Sequence, residues 1–152
     1  MCEEHGTETA LGRPGAQRTG PPRSCKPAEA RRAVERAVTE RCRATHTHCD
    51  QEALGDALLV ATELTTNAIL HGGGVTDFRV DVLGTGVRVS VSDRSDRLPV
   101  TRQPSDPRRR QRVGGHGWPI VCRLARDVRV SELPAGGKCI TAVVAFRSTT
   151  RR

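Results

Sequence analysis

The segment between residues 50 and 71 constrains the fold more than any other part of the chain. Its apolar side chains recur at helical spacing and form one stripe: Leu54, Ala57, Leu58, Ala61, Leu64 and Ala68. Further apolar residues lie on the other side of the predicted helix. We therefore expect most of the helix surface to be buried. Asp50 suits its N-cap, and Gly72-Gly73-Gly74 ends it.

The flanking segments place this helix in an α+β domain. Pro27 opens an amphipathic helix over about 28–44, and alternating apolar residues predict a hairpin of two strands joined through Gly84-Thr85-Gly86. A short helix opened by Pro119 then precedes two strands, over about 128–132 and about 138–146. This order favours a two-layer sandwich, with helices on one face of a mixed, largely antiparallel sheet, over a parallel doubly wound fold.

The predicted domain occupies residues 27–147 of the 152-residue chain. Residues 1–26 are rich in Gly, Pro, Arg and Thr without apolar periodicity, which predicts a flexible tail, and residues 148–152 form a basic tail. The polar, proline-containing segment at about 94–117 is predicted to be a lid loop, because loops of this length are usually functional or disordered.

Composition excludes several classes of protein. Aromatic residues make up only 2% of the chain, which leaves little surface for stacking nucleic-acid bases. No apolar run reaches the roughly 18 residues of a membrane helix, and the N-terminus has no export signal, so we expect a cytoplasmic protein without membrane contact.

The six cysteines are scattered, and reduced thiols are expected rather than a disulfide framework. Zinc binding by Cys42, His46, His48 and Cys49 is an alternative, although their spacing departs from the usual ligand pairs.

Polar side chains interrupt the apolar helix on one face. Glu63 and Asn67 lie one turn apart, and His71 follows one turn later. Burying such groups without partners is costly, so either ordinary neighbours pair with them or they face a polar cavity. In a cavity, Asn67 would offer its oxygen to a hard cation such as Mg²⁺, and Glu63 would act as a general base.

Two further segments carry candidate binding residues. The glycines of Gly114-Gly115-His116-Gly117 permit close backbone approach, and their N–H groups, with the start of the next helix, suit a phosphate. Asp93 ends a predicted strand, where its carboxylate can accept a hydrogen bond from an amino group such as that of adenine. A strand-end Asp is also a common turn residue.

Taken in chain order, Glu63–His71 (E-L-T-T-N-A-I-L-H), Val91–Asp93 and Gly114–Trp118 resemble the boxes of the ATP-binding superfamily of histidine kinases, gyrase and MutL. The chain is most similar to the stand-alone anti-sigma-factor serine/threonine kinases and to small actinobacterial ATP-binding regulators. The resemblance covers about residues 28–146 and includes Gly136-Gly137-Lys138. It implies the Bergerat-type ATP-binding fold.

The same resemblance implies a role for each matched residue. Glu63 would polarise the attacking hydroxyl or water, Asn67 would coordinate Mg²⁺, and Asp93 would bind the adenine amino group and favour ATP over GTP. The lid residues that would cover the phosphates are Gly115, His116, Gly117 and Trp118. His71 is a nearby contact or simply a helix-end residue. The chain departs from the family's pattern at Ser95, where a Gly is common.

This resemblance also implies a function. The chain would be a Mg²⁺-dependent and ATP-dependent serine/threonine protein kinase that phosphorylates an anti-sigma-factor antagonist, with a sigma factor as the other partner. No phosphoacceptor helix or transducer domain accompanies the domain, which argues against a complete sensor kinase. The alternative is an ATP-responsive protein-binding adaptor with little or no kinase activity, favoured by the departure at Asp93–Asp96. A homodimer remains open.

Half of the net charge of +8 lies in the predicted lid, where residues 102–112 hold five Arg and one Asp, a net +4. We interpret this excess as electrostatic attraction for ATP or for an acidic protein surface. Nucleic-acid binding through the arginines of 108–112 and 147–152 is a third hypothesis, but no recognised nucleic-acid-binding module accompanies them.

Overall fold

The computed structural model describes residues 25–97, 99 and 117–147. Seven helices and strands follow one another within these residues: α1 (Pro27–Thr45), α2 (Gln51–His71), β1 (Val75–Leu83), β2 (Gly86–Asp93), α3 (Gly117–Leu124), β3 (Asp127–Glu132) and β4 (Lys138–Ala145). The predicted order of helices and strands is confirmed.

The four strands form one sheet in the order β1-β2-β4-β3. All three pairings among these described strands are antiparallel, whereas the sequence allowed for a mixed sheet. The three helices pack against this sheet as the second layer, and one apolar cluster lies between the layers. The predicted α+β two-layer class is therefore confirmed.

Helix α2 is the centre of the core. Asp50 caps it by accepting a hydrogen bond from the backbone N–H of Ala53 at 3.0 Å. Leu64 is 1% exposed, and α2 contacts α1, α3 and the sheet. Within the described residues, α2 is the one helix whose length and apolar composition match a membrane span, and the core helix of a folded domain has the same properties.

Helix α1 covers β1 and one side of α2. The backbone N–H of Lys26 donates to Glu29 Oε1 at 3.0 Å at its start, and Pro27 occupies the first turn. Its inward face carries Ala30, Val34 and Val38. Cys25, the first described residue, already belongs to the core, and burial raises the pKa of its thiol.

The connection between α1 and α2 corrects one expectation. Cys42 and Cys49 form a disulfide, with Cα atoms 5.6 Å apart, so the prediction of reduced thiols is wrong for this pair. The chain reverses at His46, which has a left-handed φ of 54°, and Thr47 N–H donates to the Cys42 carbonyl at 3.0 Å. This reversal returns Cys49 to the last turn of α1, a juxtaposition that sequence spacing did not show.

The disulfide also bears on the zinc alternative. The sulfurs of Cys42 and Cys49 are bonded to each other, and no group of three or more His, Cys, Asp or Glu that could hold a metal ion is found among the described residues. The zinc alternative is therefore not supported in this part of the chain.

Candidate functional site

Helix α2 presents Glu63 and Asn67 on one side, one turn apart, as the spacing predicts. Both side chains are half-buried, whereas neighbouring residues Leu64 and Ala68 point into the core at 1% exposure. The helix thus directs its apolar stripe to the core and holds the carboxylate and carboxamide at the edge of that core.

Gly117, the first residue of α3, lies directly against both polar side chains. A Cβ atom built on Gly117 would lie 2.5 Å from Glu63 Oε1 and 3.7 Å from Asn67 Oδ1. Only a glycine leaves this space to the carboxylate. The structure therefore brings three of the predicted site residues, Glu63, Asn67 and Gly117, into one cluster.

The start of α3 adds a partial positive charge beside the Glu63 carboxylate. The first N–H groups of a helix have no partner within the helix, and they carry a partial positive charge that favours anions. Val121, fully buried, packs α3 into the core, and the half-buried Trp118 packs against the same core. Trp118 thereby secures the first turn of α3 beside Glu63 and Asn67.

Asp93 lies in a second cluster, at the end of β2. Its carboxylate is buried, and Lys138 Nζ lies 3.0 Å from both Oδ1 and Oδ2. The backbone N–H of Ser95 donates to Oδ1 at 2.9 Å. Because Asp93 and Lys138 are paired residues of β2 and β4, the sheet register itself creates this ion pair. Removing one partner of such a buried pair typically costs about 3–5 kcal/mol.

Two glycines allow the chain to close around Asp93. A Cβ on Gly72, the residue that ends α2, would overlap the Asp93 carboxylate, and a Cβ on Gly137 would overlap the Asp93 carbonyl oxygen. Gly137 has a φ of 93°, which favours glycine for a second reason. The glycines that the sequence marks as the end of a helix and as a turn therefore also make room for Asp93.

The segment after Asp93 is anchored although it departs from the family's pattern. Arg94 N–H donates to the Gly72 carbonyl at 2.9 Å, and Asp96 Oδ1 accepts from Gly137 N–H at 2.9 Å. Ser95 has no positive φ, so the backbone conformation at this position does not itself require a glycine. Asp96, for which the sequence predicts no contact, joins this segment to the turn before β4.

The two clusters lie along one helix. Gly72 lies nine positions after Glu63, which corresponds to about 13 Å along the axis of α2. Glu63 and Asn67 mark one end of this stretch, and Asp93, against Gly72, marks the other. His71 lies at the last position of α2 and is exposed.

Several predicted residues lie outside the described part of the chain. Gly115, His116, the arginines of 102–112 and the tails 1–24 and 148–152 belong to this group. The lid therefore stays a prediction, apart from its described ends at 94–97 and at Gly117.

Lys138 is the site residue that sequence reasoning missed. The sequence indicates that its segment is similar to the family but predicts no partner for its charge. A lysine that opens a strand directly after two glycines signals a side chain near a tight turn. The order β1-β2-β4-β3 was needed to place Lys138 beside Asp93.

Comparison with known proteins identifies the class of this domain. The family profile of the histidine kinase-like ATPase domain matches residues 25–144, most of the chain and nearly all of its described residues. The chain therefore belongs to the histidine kinase-like ATPase family. No curated protein matches it.

One solved structure with similarity to the chain is the histidine kinase domain of a blue-light-activated histidine kinase from Erythrobacter litoralis. The two share 22% sequence identity with a TM-score of 0.41, and the match covers 62% of this chain and 45% of that domain. The chain thus matches less than half the length of that relative.

Proposed function

We propose that the protein is an ATP-binding regulator of the anti-sigma-factor type, a serine/threonine kinase that phosphorylates a partner antagonist protein. Membership of the histidine kinase-like ATPase family supports ATP binding and ATP use. The single observation that carries the proposal further is the contact of Gly117 with both Glu63 and Asn67. This contact places three groups side by side: the Glu63 carboxylate as a candidate base, Asn67 Oδ1 as a candidate metal ligand, and the N-terminus of α3, which favours anions.

The described residues fit Mg²⁺ and ATP. Mg²⁺ bound to a nucleotide takes most of its ligands from phosphates and water and one or two from protein, so a single oxygen such as Asn67 Oδ1 suffices. The positive end of α3 suits phosphates, and the Asp93 cluster lies further along α2, where the base would bind. Bound Mg²⁺ would offset the negative charge of the phosphates.

In the proposed reaction, a serine or threonine hydroxyl of the partner attacks the γ-phosphorus of ATP in line with the leaving ADP. Glu63 accepts the hydroxyl proton as the new P–O bond forms and the bond to the β-phosphate oxygen breaks. Asn67 would hold the Mg²⁺ ion, which would supply positive charge beside the triphosphate. The cytoplasm, where ATP and sigma factors occur, is the proposed location.

The experiment compares phosphate transfer from labelled ATP to candidate antagonist proteins by the wild type and Glu63→Gln. We expect the variant to retain ATP binding and to lose about 100-fold or more in transfer, because a positioned base contributes about 10²–10⁴ in rate. Glu40→Gln, the same change at an exposed residue of α1, is the matched control and should transfer normally. Normal transfer by Glu63→Gln would contradict the assignment of the base.

A second candidate function is an ATP-responsive adaptor with little or no kinase activity. The observation that favours it is the set of exposed large apolar side chains on α2: Leu59 at 40%, Ile69 at 44% and Leu70 at 49% exposure. A contiguous exposed apolar patch marks a protein-binding site, and the adjacent Ile69 and Leu70 would contribute to such a patch at the end of α2. ATP-dependent binding of a partner without phosphoserine or phosphothreonine formation would favour the adaptor over the kinase.

A further inference from the structure

Lys138 forms an ion pair with Asp93, the residue whose carboxylate would bind the nucleotide base. Its Nζ lies 3.0 Å from each oxygen of Asp93, and both side chains are buried. A carboxylate has about four lone-pair positions, of which Lys138 takes two and Ser95 N–H takes a third, at 2.9 Å. An incoming base therefore meets Asp93 and Lys138 as a joined acceptor and donor rather than a lone carboxylate.

One N–H group of Lys138 is held less tightly than the other two. An ammonium has three donors, and two of them are used by Asp93. The third has only the Ser95 carbonyl, at 3.5 Å, which is longer than the usual range of about 2.7–3.2 Å. It is therefore the donor of Lys138 that a ligand would displace at the smallest cost, without breaking the bonds to Asp93.

We propose that Lys138 is a specificity-determining residue that widens the base preference of this site from adenine to both purines. The inference rests on the proposed function, in which Asp93 faces the base. Its ligand class is purine nucleoside triphosphates, ATP and GTP alike, rather than ATP alone.

The chemistry of the two bases supports this assignment. Adenine presents an amino donor at position 6, whereas guanine presents a carbonyl acceptor there. A lone carboxylate accepts from the adenine amino group and repels the guanine oxygen, and sites with such unpaired polar groups reject the wrong ligand strongly. With Lys138 beside Asp93, the guanine oxygen accepts from the ammonium, and the adjacent ring N–H of guanine donates to the carboxylate.

The test is calorimetric titration of the full chain with Mg–ATP and with Mg–GTP. We expect the two dissociation constants of the wild type to agree within about 10-fold. Lys138→Met removes the donor and should raise the ratio of the GTP constant to the ATP constant by at least about 10-fold, because a guanine oxygen then faces an unpaired carboxylate. Lys138→Arg keeps a charged donor and is the matched control, in which the ratio should stay near that of the wild type.

Two results would overturn the inference while leaving the proposed function standing. One is a wild type that binds ATP more than about 10-fold more tightly than GTP. The other is a Lys138→Met variant that binds ATP and keeps the wild-type ratio. Should Lys138→Met fail to fold, the wild-type ratio alone decides. Failure of the wild type to bind either nucleotide would overturn the proposed function and this inference together.

Discussion

Replacement of Gly117 by alanine should move the Glu63 carboxylate without destabilising the fold. It therefore tests whether the position of Glu63 matters for activity. The added Cβ would lie 2.5 Å from Glu63 Oε1, whereas ordinary contacts begin at 3.4 Å, so the carboxylate must withdraw by about 0.9 Å. Displacing a catalytic group by about 1 Å can cost about 100-fold in rate. We therefore expect ATP turnover by Gly117→Ala to fall by about 10- to 100-fold.

The same substitution should not weaken the fold. Gly117 has no positive φ, and alanine is favoured over glycine in helices by up to about 1 kcal/mol. The atom that must move is the end of a flexible, half-buried side chain. The midpoint of thermal unfolding should therefore stay unchanged or rise slightly while turnover falls.

Transfer of labelled phosphate from saturating Mg–ATP to a candidate antagonist protein, measured with thermal unfolding of the same samples, checks both halves of this prediction. Gly55→Ala is the matched control, because a Cβ at Gly55 in α2 meets nothing within 4 Å. This control should gain about 0.5–1 kcal/mol in stability and keep wild-type turnover. Wild-type turnover by Gly117→Ala would refute the argument that the packing of Gly117 sets the catalytic position of Glu63.

The remaining predictions concern stability. Replacing Cys42 and Cys49 with serine should lower the free energy of unfolding by about 2 kcal/mol, because the disulfide closes a loop with a sequence separation of 7; reductant should have no effect on that variant in a urea titration. Asp50→Ala should cost about 1 kcal/mol at neutral pH, since it removes the cap on Ala53 N–H and the 2.7 Å bond from Arg147 N–H. These bonds lower the pKa of Asp50 in the folded protein. The difference in free energy of unfolding between the wild type and Asp50→Ala should therefore be full above the ordinary pKa of 3.8 and be lost as the pH falls below it. A difference that grows in acid would contradict this.

The fold was predictable because local patterns coincide with tertiary burial. The 3.6-residue stripe of α2 and the alternation of Val87, Val89 and Val91 face the core that the structure shows. Asp50 and Pro27 mark the helix starts as predicted. These signals depend on neighbours within one helix or strand, which a single sequence displays directly.

The features that escaped prediction depend on contacts between distant segments. The ion pair of Asp93 with Lys138 joins residues 45 positions apart and follows from the strand order, which periodicity does not encode. The Cys42–Cys49 disulfide follows from a chain reversal at His46. The site residues Glu63 and Asn67 were visible because polar groups on an apolar helix face need a partner.

The central claim, that Asn67 serves a Mg²⁺-nucleotide site beside Glu63 and Gly117, is tested most directly by titrating wild type and Asn67→Ala with ATP, with and without Mg²⁺. We predict that the wild type binds Mg–ATP at least about 10-fold more tightly than the variant, because the variant loses an oxygen ligand to a charged group. Without Mg²⁺ the two affinities should converge. Equal affinity of wild type and Asn67→Ala for Mg–ATP would contradict the account.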